Sequence, residues 1–256
     1  MKQVSRPLTP ALMAPRQPEH VPKVLAIVSA LSVRKLLAEC LTPRVALKSR
    51  SPIAQAIPFM ASENIGIIGP VIGAPAAVLA LEPFLAAGVK RALLLGVCGG
   101  IALGKTQLAL GDFLFPRKLV TDDGTSVLYG AARSFALNPS AFQLTLEKKI
   151  RTACGKLRNA RGSPPNTFET TICTTDAPYR ETLEKIESCF RLGALGIEME
   201  LAAVAHLARI YDAELAAALV VSDLFSPQWT PGLRSRPVKA SVALAVKAAA
   251  EVMKGA

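Results

Sequence analysis

Apolar runs alternate with longer amphipathic segments along most of the chain, and this alternation predicts strands separated by helices. Runs rich in Val, Leu and Ile predict buried strands at 24–28, 65–68 and 92–97. Apolar residues at helical spacing over 74–87 predict a helix that ends at Gly88, a residue suited to a helix C-terminus. The same patterns predict further strands at 111–119, 167–173 and 215–221 and further helices at 140–154, 198–211 and 238–253.

The order of these elements indicates an α/β fold. Near-continuous apolar strands are typical of a sheet covered by helices on both faces, so we predict a mainly parallel sheet between two helical layers. The 256 residues fit one domain of this class, which we place at 23–256. Prolines recur between residues 7 and 22 and exclude a regular helix, so segment 1–22 is predicted to be a flexible tail.

The composition excludes several classes of function. The net charge is +11, but Lys and Arg do not alternate with aromatic residues, so no nucleic-acid partner is expected. No apolar run reaches the roughly 18 residues of a membrane span, and no secretory signal follows Lys2 and Arg6, so no membrane partner is expected. Five cysteines without a CxxC pair argue against a disulfide framework and a metal site, and they favour a cytoplasmic location.

Two carboxylates lie at a predicted strand-to-helix junction. Gly196-Ile197 ends a strand-like stretch, Glu198 and Glu200 flank Met199, and a helical segment follows. Ligands of α/β proteins bind at this edge of the sheet, and an ionised Glu can accept two hydrogen bonds from a vicinal diol. Taken alone, the pattern is better explained by acidic residues that favour the first turn of a helix.

Two further segments carry candidate chemistry. The strand predicted at 215–221 leads into Ser222-Asp223, and an Asp in this apolar setting can act as a general acid, although a turn or an N-cap also explains it. Gly96-Val97-Cys98-Gly99-Gly100 could present backbone N–H groups to a ligand or form only a tight turn. The glycines match neither the Walker A nor the GxGxxG pattern, so neither a nucleoside triphosphate nor a dinucleotide is expected.

In their order and spacing these segments resemble the purine nucleoside and uridine phosphorylase family, which also contains nucleosidases that use water in place of phosphate. The resemblance implies a single three-layer α/β/α domain with a mixed central sheet. It implies an enzyme that cleaves the N-glycosidic bond of a nucleoside, assembles as a dimer, trimer or hexamer, and needs no cofactor, with inorganic phosphate as co-substrate. The segments that carry it are 69–75, 96–100, 111–112, 123–126, 174–179, 196–200 and 221–223.

The resemblance assigns roles to individual residues. Glu200 would bind the ribose hydroxyls, with Met199 packed on the sugar and Glu198 nearby. Asp223 would donate a proton to N7 of a leaving purine, an acid that uridine phosphorylases commonly lack, and this favours a purine base. The residues implied at the base are Thr174, Asp176, Pro178 and Tyr179.

The group that attacks the sugar stays open. Phosphorylases of this family usually carry an Arg and a Ser or Thr before the double glycine, where this chain has Leu94 and Val97. The nucleosidases use a Glu after their first strand to activate water, and this chain has no carboxylate in Ser32-Val33-Arg34. An Arg at this place suits an oxyanion, so the resemblance slightly favours phosphate.

Phosphate binding is therefore expected from Arg34 and from the backbone of Gly96 and Gly99, and Arg44 or Arg50 could reach the site of a neighbouring subunit. Three functions remain open: a phosphorylase, a nucleosidase that hydrolyses the same bond, and a non-catalytic nucleoside-binding protein on the same fold. Arg180 and Trp229 are candidates for a lid, although core packing explains Trp229 equally well. His206 and Cys98 are interpreted as structural residues.

Overall fold

The computed structural model describes residues 21–28, 31–40, 45–47, 59–61, 64–226 and 228–256. The strands in this part of the chain form one eleven-stranded sheet. The predicted tail lies, up to residue 20, outside the described residues. The strands are β1 Val24–Val28, β2 Val45–Leu47, β3 Phe59–Ala61, β4 Ile65–Ile68, β5 Arg91–Ile101, β6 Phe113–Asp122, β7 Ser134–Ala136, β8 Thr167–Thr175, β9 Ala194–Glu198, β10 Glu214–Ser226 and β11 Gln228–Pro231.

The structure confirms the four predicted helices and contains three further short helices that the sequence analysis did not predict. The missed helices are α1 Leu31–Cys40, α3 Gly124–Leu128 and α5 Leu183–Arg191. The predicted helices are α2 Ala74–Ala86, α4 Ala141–Cys154, α6 Leu201–Ile210 and α7 Arg236–Lys254, and a 3₁₀ turn spans Pro178–Arg180. Helix α6 begins three residues later than predicted because the side chain of Glu198 accepts hydrogen bonds from the backbone N–H groups of Glu200 and Leu201.

The sheet is mixed, which confirms the fold class implied by the resemblance and corrects the mainly parallel sheet expected from the strand pattern. In the described residues five strand pairings are parallel and six are antiparallel. Strand β1 is buried along its whole length because it pairs in parallel with β4 and β5 inside the sheet.

Five strands of the sheet close into a ring. Strand β5 pairs with β10 and β9, β10 pairs with β6, and β8 joins β6 to β9. A Cβ atom on Gly196 would lie 2.7 Å from Leu114 Cδ1 and 2.9 Å from Ile172 Cδ1, so the tightly packed ring has no room for a side chain there. The pattern of apolar residues along a single strand does not show which strands pair, so it could not predict that these five strands form a ring.

Helices cover the sheet in two groups. Helix α2 packs against α6 and α3, whereas α7 packs against α1 and α4. The buried core between these groups and the sheet is built mainly from Ala, Leu, Val and Ile. The strand ends that carry the candidate residues of β5, β9 and β10 meet at one edge of the ring, where Gly99 lies between Ile197 and Asp223.

Candidate active site

A cavity of about 630 Å³ opens where β5, β9 and β10 meet. Most of its wall is apolar, and four carboxylate side chains line it. Of the residues expected in the site, the cavity brings together Glu198, Met199, Glu200, Asp223, Pro178, Tyr179 and Gly99. The other lining residues are Ile72, Val97, Cys98, Gly100, Ile101, Glu181, Ile186, Ile197, Ser222, Phe225 and Trp229.

Glu200 lies directly before α6 and is held by the opposite side of the cavity. Its Oε1 accepts a hydrogen bond of 2.7 Å from the backbone N–H of Gly73, the residue before α2. Burial raises the pKa of Glu200, and the N–H groups of Gly73 and Met199 oppose this rise by stabilising the ionised form. The bond from Gly73 engages Oε1, and the carboxylate keeps lone pairs that can accept a hydroxyl of a ligand.

Glu198 lines the cavity, but both of its carboxylate oxygens accept hydrogen bonds from the protein. Its Oε2 accepts the N–H groups of Glu200 and Leu201 at 2.8 and 2.7 Å, and its Oε1 accepts the hydroxyl of Thr174. Burial and the charge of Glu200 raise the pKa of Glu198. The carboxylate thus fixes the start of α6 and the place of Glu200, and it also lines the cavity next to Glu200, where the resemblance placed it.

Asp223 is half-buried at the bend of β10 and has a donor at each carboxylate oxygen. Ser222 Oγ lies 2.8 Å from Oδ1, and the indole N–H of Trp229 donates to Oδ2 at 3.0 Å. Trp229 reaches Asp223 because β10 and β11 form a hairpin, and its side chain remains largely exposed at the rim of the cavity. The indole therefore orients Asp223 and does not pack in the core, the alternative that the sequence left open.

The glycine segment is part of a strand and not a turn, which corrects the sequence interpretation. Strand β5 continues to Ile101, and β9 and β10 flank Gly99 and Gly100 on both sides. A Cβ atom on Gly99 would lie 3.2 Å from Asp223 Oδ2, so this glycine lets the carboxylate approach the strand closely. Gly96 lies further back on β5, outside the lining of the cavity.

Several expected site residues lie outside the cavity lining. Thr174 is fully buried, where it also accepts the N–H of Ala202, so it supports Glu198 and is not placed to touch a base. Asp176 accepts the N–H of Gly124 at 2.8 Å and joins the end of β8 to α3. Arg34 lies half-buried on α1, and its Nε is buried without a partner among the described residues. Arg44 and Arg50 lie outside the described residues.

Pro178 and Tyr179 reach the cavity from the 3₁₀ turn, and Tyr179 is fully exposed at its rim. The same turn brings in Glu181, which sequence reasoning missed. The only feature of the sequence that could have indicated Glu181 is its position two residues after Tyr179. Arg180, a candidate for a lid, is exposed next to it and does not line the cavity.

Cys98 and His206 were interpreted as structural residues, and their surroundings agree with this interpretation. Cys98 is buried in the cavity wall, and burial, together with the charges of Asp223 and Glu198, raises the pKa of its thiol. A thiol with a raised pKa is a poor nucleophile because little thiolate is present. His206 lies on α6, where its Nε2 is 3.0 Å from the carbonyl of Tyr129, and it does not line the cavity.

Comparison with known families decides where this chain belongs. The model of the phosphorylase superfamily matches residues 35–256, which is most of the chain. The chain belongs to the phosphorylase superfamily. Solved structures that it resembles include a purine nucleoside phosphorylase of Toxoplasma gondii in complex with immucillin-H, at a TM-score of 0.69 and 20% identity, covering 93% of this chain and 94% of that one.

Other structures of similar fold come from proteins with different activities. A uridine phosphorylase of Vibrio fischeri has a TM-score of 0.70 at 16% identity, with 94% of this chain and 98% of that one covered. An AMP nucleosidase of Bacteroides thetaiotaomicron has a TM-score of 0.63 at 21% identity, with 91% and 90% covered. At these identities the likeness of this superfamily member to each of them establishes the fold alone.

Curated relatives cover a shorter part of the chain. The DeoD-type purine nucleoside phosphorylase of Alkaliphilus metalliredigens is 25% identical over 168 residues, which are 63% of this chain and 64% of that protein. The DeoD-type enzyme of Bacillus cereus strain ZK is 23% identical over the same length. The chain thus matches less than two thirds of the length of these relatives. Within the described residues no helix is long and apolar enough to cross a membrane.

Proposed function

We propose that this superfamily member cleaves the N-glycosidic bond of a purine nucleoside and transfers the sugar to phosphate. The observation that carries the proposal is that Glu200 and Asp223 line one cavity, with Glu200 anchored to Gly73 and Asp223 oriented by Trp229. A sugar-binding carboxylate and a base-facing acid are the two groups that this bond cleavage requires. Shared membership of the superfamily supports the reaction class.

Glu200 would hold the sugar. Its carboxylate accepts the 2′- and 3′-hydroxyls, while half-buried Met199 packs against the ribose ring. Bond cleavage passes through an oxocarbenium-like sugar, whose positive charge is stabilised by the carboxylates around the cavity. The low dielectric of the apolar wall strengthens this stabilisation.

Asp223 would act on the base. A purine that departs from C1′ carries away the bonding electron pair, and a proton delivered to N7 neutralises it. A positioned general acid contributes a rate factor of about 10²–10⁴. Ser222 and Trp229 hold the carboxyl group in place for this transfer. We assign Pro178 and Tyr179 to contacts with the base, because both line the cavity at the 3₁₀ turn.

Phosphate is the first candidate for the attacking group. Arg34 stays the candidate phosphate ligand: it does not line the cavity, but its buried Nε has no partner among the described residues, and a phosphate oxygen would satisfy it. Gly99 lies close to where such an anion would approach the sugar. No cofactor is needed for this reaction, since phosphate itself is the co-substrate.

Water is the second candidate, favoured by the charge of the cavity. Glu181, Glu198, Glu200 and Asp223 line it, and the described lining includes no Arg, Lys or His. A phosphate dianion would have to enter against this field, whereas a neutral water would not. The same carboxylates would then stabilise the cationic sugar during hydrolysis.

One experiment separates the candidates. The purified protein is incubated with a panel of purine nucleosides, with and without phosphate, and release of free base is followed. Release that depends on phosphate supports phosphorolysis, and equal release without phosphate supports hydrolysis. Binding of nucleosides with no release in either condition would contradict the proposed reaction and favour a non-catalytic nucleoside-binding protein.

We further propose that the chain works as a homo-oligomer in the cytoplasm. All five cysteines are free thiols, which suits a reducing compartment. Large apolar side chains such as Leu128 are exposed on the single chain and would be covered by assembly.

A further inference from the structure

Glu181 is a carboxylate in the cavity to which the proposed reaction assigns no direct contact with the substrate. It follows the 3₁₀ turn, is half-buried, and lines the same cavity as Asp223. Its carboxylate has neither a hydrogen-bond nor an ion-pair partner in the described part of the chain, although Lys185 on α5 is nearby. Lys185 instead pairs with Asp122. A half-buried acceptor without a protein partner is available to a ligand.

Glu181 lines the same cavity as Asp223, and the two negative charges influence each other. Burial and the negative charge of Asp223 raise the pKa of Glu181, and the positive charge of Lys185 lowers it. Two carboxylates outside the proposed sugar contact, Glu181 and Asp223, therefore line one cavity. Because neither is neutralised by a cation of the cavity wall, their preferred ligand is a base that offers hydrogen-bond donors.

The chemistry of purines says which donor this would be. N7 and the 6-substituent lie on the same edge of the ring, so a group beside the N7 acid meets the 6-substituent. Adenine presents an amino donor there, whereas guanine and hypoxanthine present a carbonyl oxygen. A carboxylate attracts the first and repels the second.

We propose that Glu181 accepts a hydrogen bond from the 6-amino group of the substrate and so selects 6-aminopurine over 6-oxopurine nucleosides. This inference rests on the proposed function, since it takes Asp223 to face N7. It adds a specificity-determining residue to the cavity and names the substrate class. A hydrogen bond to a charged acceptor corresponds to a preference of about 10- to 100-fold.

The test compares adenosine with inosine. We expect kcat/KM to favour adenosine in the natural protein, and we expect Glu181→Gln to remove that preference, because an amide can donate to O6 as well as accept from the 6-amino group. Glu184→Gln is the matched control, because Glu184 is an exposed carboxylate three residues further on that does not line the cavity. It should leave the ratio unchanged, and the melting temperatures of all three proteins should agree closely.

Two outcomes would overturn the inference while leaving the proposed function standing: cleavage that favours inosine, or an adenosine-to-inosine ratio that Glu181→Gln does not change. Absence of cleavage with both nucleosides would instead count against the proposed function. Calorimetric titration with free adenine and hypoxanthine tests the selection without turnover. Tighter binding of adenine that is lost in Glu181→Gln supports the inference, and equal binding contradicts it.

Discussion

Glu200 and Gly73 lie 127 residues apart in the chain and are joined by a 2.7 Å hydrogen bond between a carboxylate and a backbone N–H. Each residue stands directly before a helix, Gly73 before α2 and Glu200 before α6. The positive ends of two helix dipoles therefore face one carboxylate and favour its ionised form. The bond also fixes the orientation of the Glu200 carboxylate in the cavity.

This arrangement predicts how Glu200 contributes to sugar selection. The natural protein should prefer a ribonucleoside over its 2′-deoxy form by about 10- to 100-fold, the range for a hydrogen bond to a charged acceptor. Glu200→Ala should reduce this preference to near unity. The measurement is kcat/KM for adenosine and 2′-deoxyadenosine. A preference that survives in Glu200→Ala would place the sugar contact elsewhere.

Asp223 is predicted to be needed for the chemistry and not for the fold. Asp223→Asn keeps the shape of the side chain but cannot deliver a carboxylic proton, so kcat for purine nucleosides should fall by about 10²–10⁴-fold. Because Asp223 is only half-buried, the melting temperature should change little. Steady-state kinetics and thermal denaturation give both values, and near-normal turnover would remove Asp223 from the mechanism.

Substitution by Ala should affect activity at Gly99 and stability at Gly100, although the two glycines are adjacent on β5. A Cβ atom on Gly99 would crowd Asp223 Oδ2 at 3.2 Å, whereas one on Gly100 would lie within 2.8 Å of Val221, Leu108 and Leu224. Gly99→Ala should therefore lower activity with a small effect on stability. Gly100→Ala should destabilise by about 1–3 kcal/mol, the usual cost of overpacking. Activity and chemical denaturation are measured on both, and equal effects would contradict the assignment of Gly99 to the site.

The buried pair Glu198 and Glu200 predicts a dependence of stability on pH. Burial raises the pKa of both carboxyls on folding, so the folded state keeps their protons to a higher pH than the unfolded state. Their contribution is therefore fully present below the ordinary pKa of 4.5 and is lost as the pH rises through the folded values. The free energy of unfolding should fall over this range.

Glu198→Gln isolates the contribution of one of the two groups. The variant should show a shallower fall with pH, by up to about 1.4 kcal/mol per pH unit between the two pKa values of Glu198. Chemical denaturation between about pH 5 and about pH 8 gives the slopes, and parallel curves would contradict the prediction.

Assembly is predicted from exposed apolar side chains. Leu128 is 88% exposed on the single chain, and we expect another subunit to cover it; Ile72 is 73% exposed but lines the cavity. The mass in solution should correspond to a dimer, trimer or hexamer, and Leu128→Glu should shift it towards the single chain. Light scattering after size exclusion measures this, and a monomeric natural protein would contradict the expectation.

The sequence predicted the elements well because their signals are local. Strand β1 and helix α2 follow from runs and spacings within a few residues, and Gly88 marks the end of α2 as expected. The mixed character of the sheet came only from the resemblance. The closure of the ring depends on which strands pair across long distances, as Gly196 illustrates, and no local pattern encodes such pairing.

Within the candidate site, the sequence predicted which residues lie near the cavity better than it predicted what their side chains contact. Glu198 and Thr174 appeared as ligand contacts because both lie in family segments, yet they bond to each other and to the start of α6. Asp176 is used in the same way at α3. Glu181 was missed because a lone Glu after a 3₁₀ turn has no distinguishing pattern, and only the folded chain places it beside Asp223.

The hairpin that joins β10 to β11 gives the protein an internal optical probe. The chain contains one tryptophan, and its indole N–H donates to Asp223. Emission from Trp229 should therefore respond to the arrival of a base beside this carboxyl group, with no background from other indoles. Occupancy of the cavity can be followed in real time in the unmodified chain, before any substrate or product has been identified.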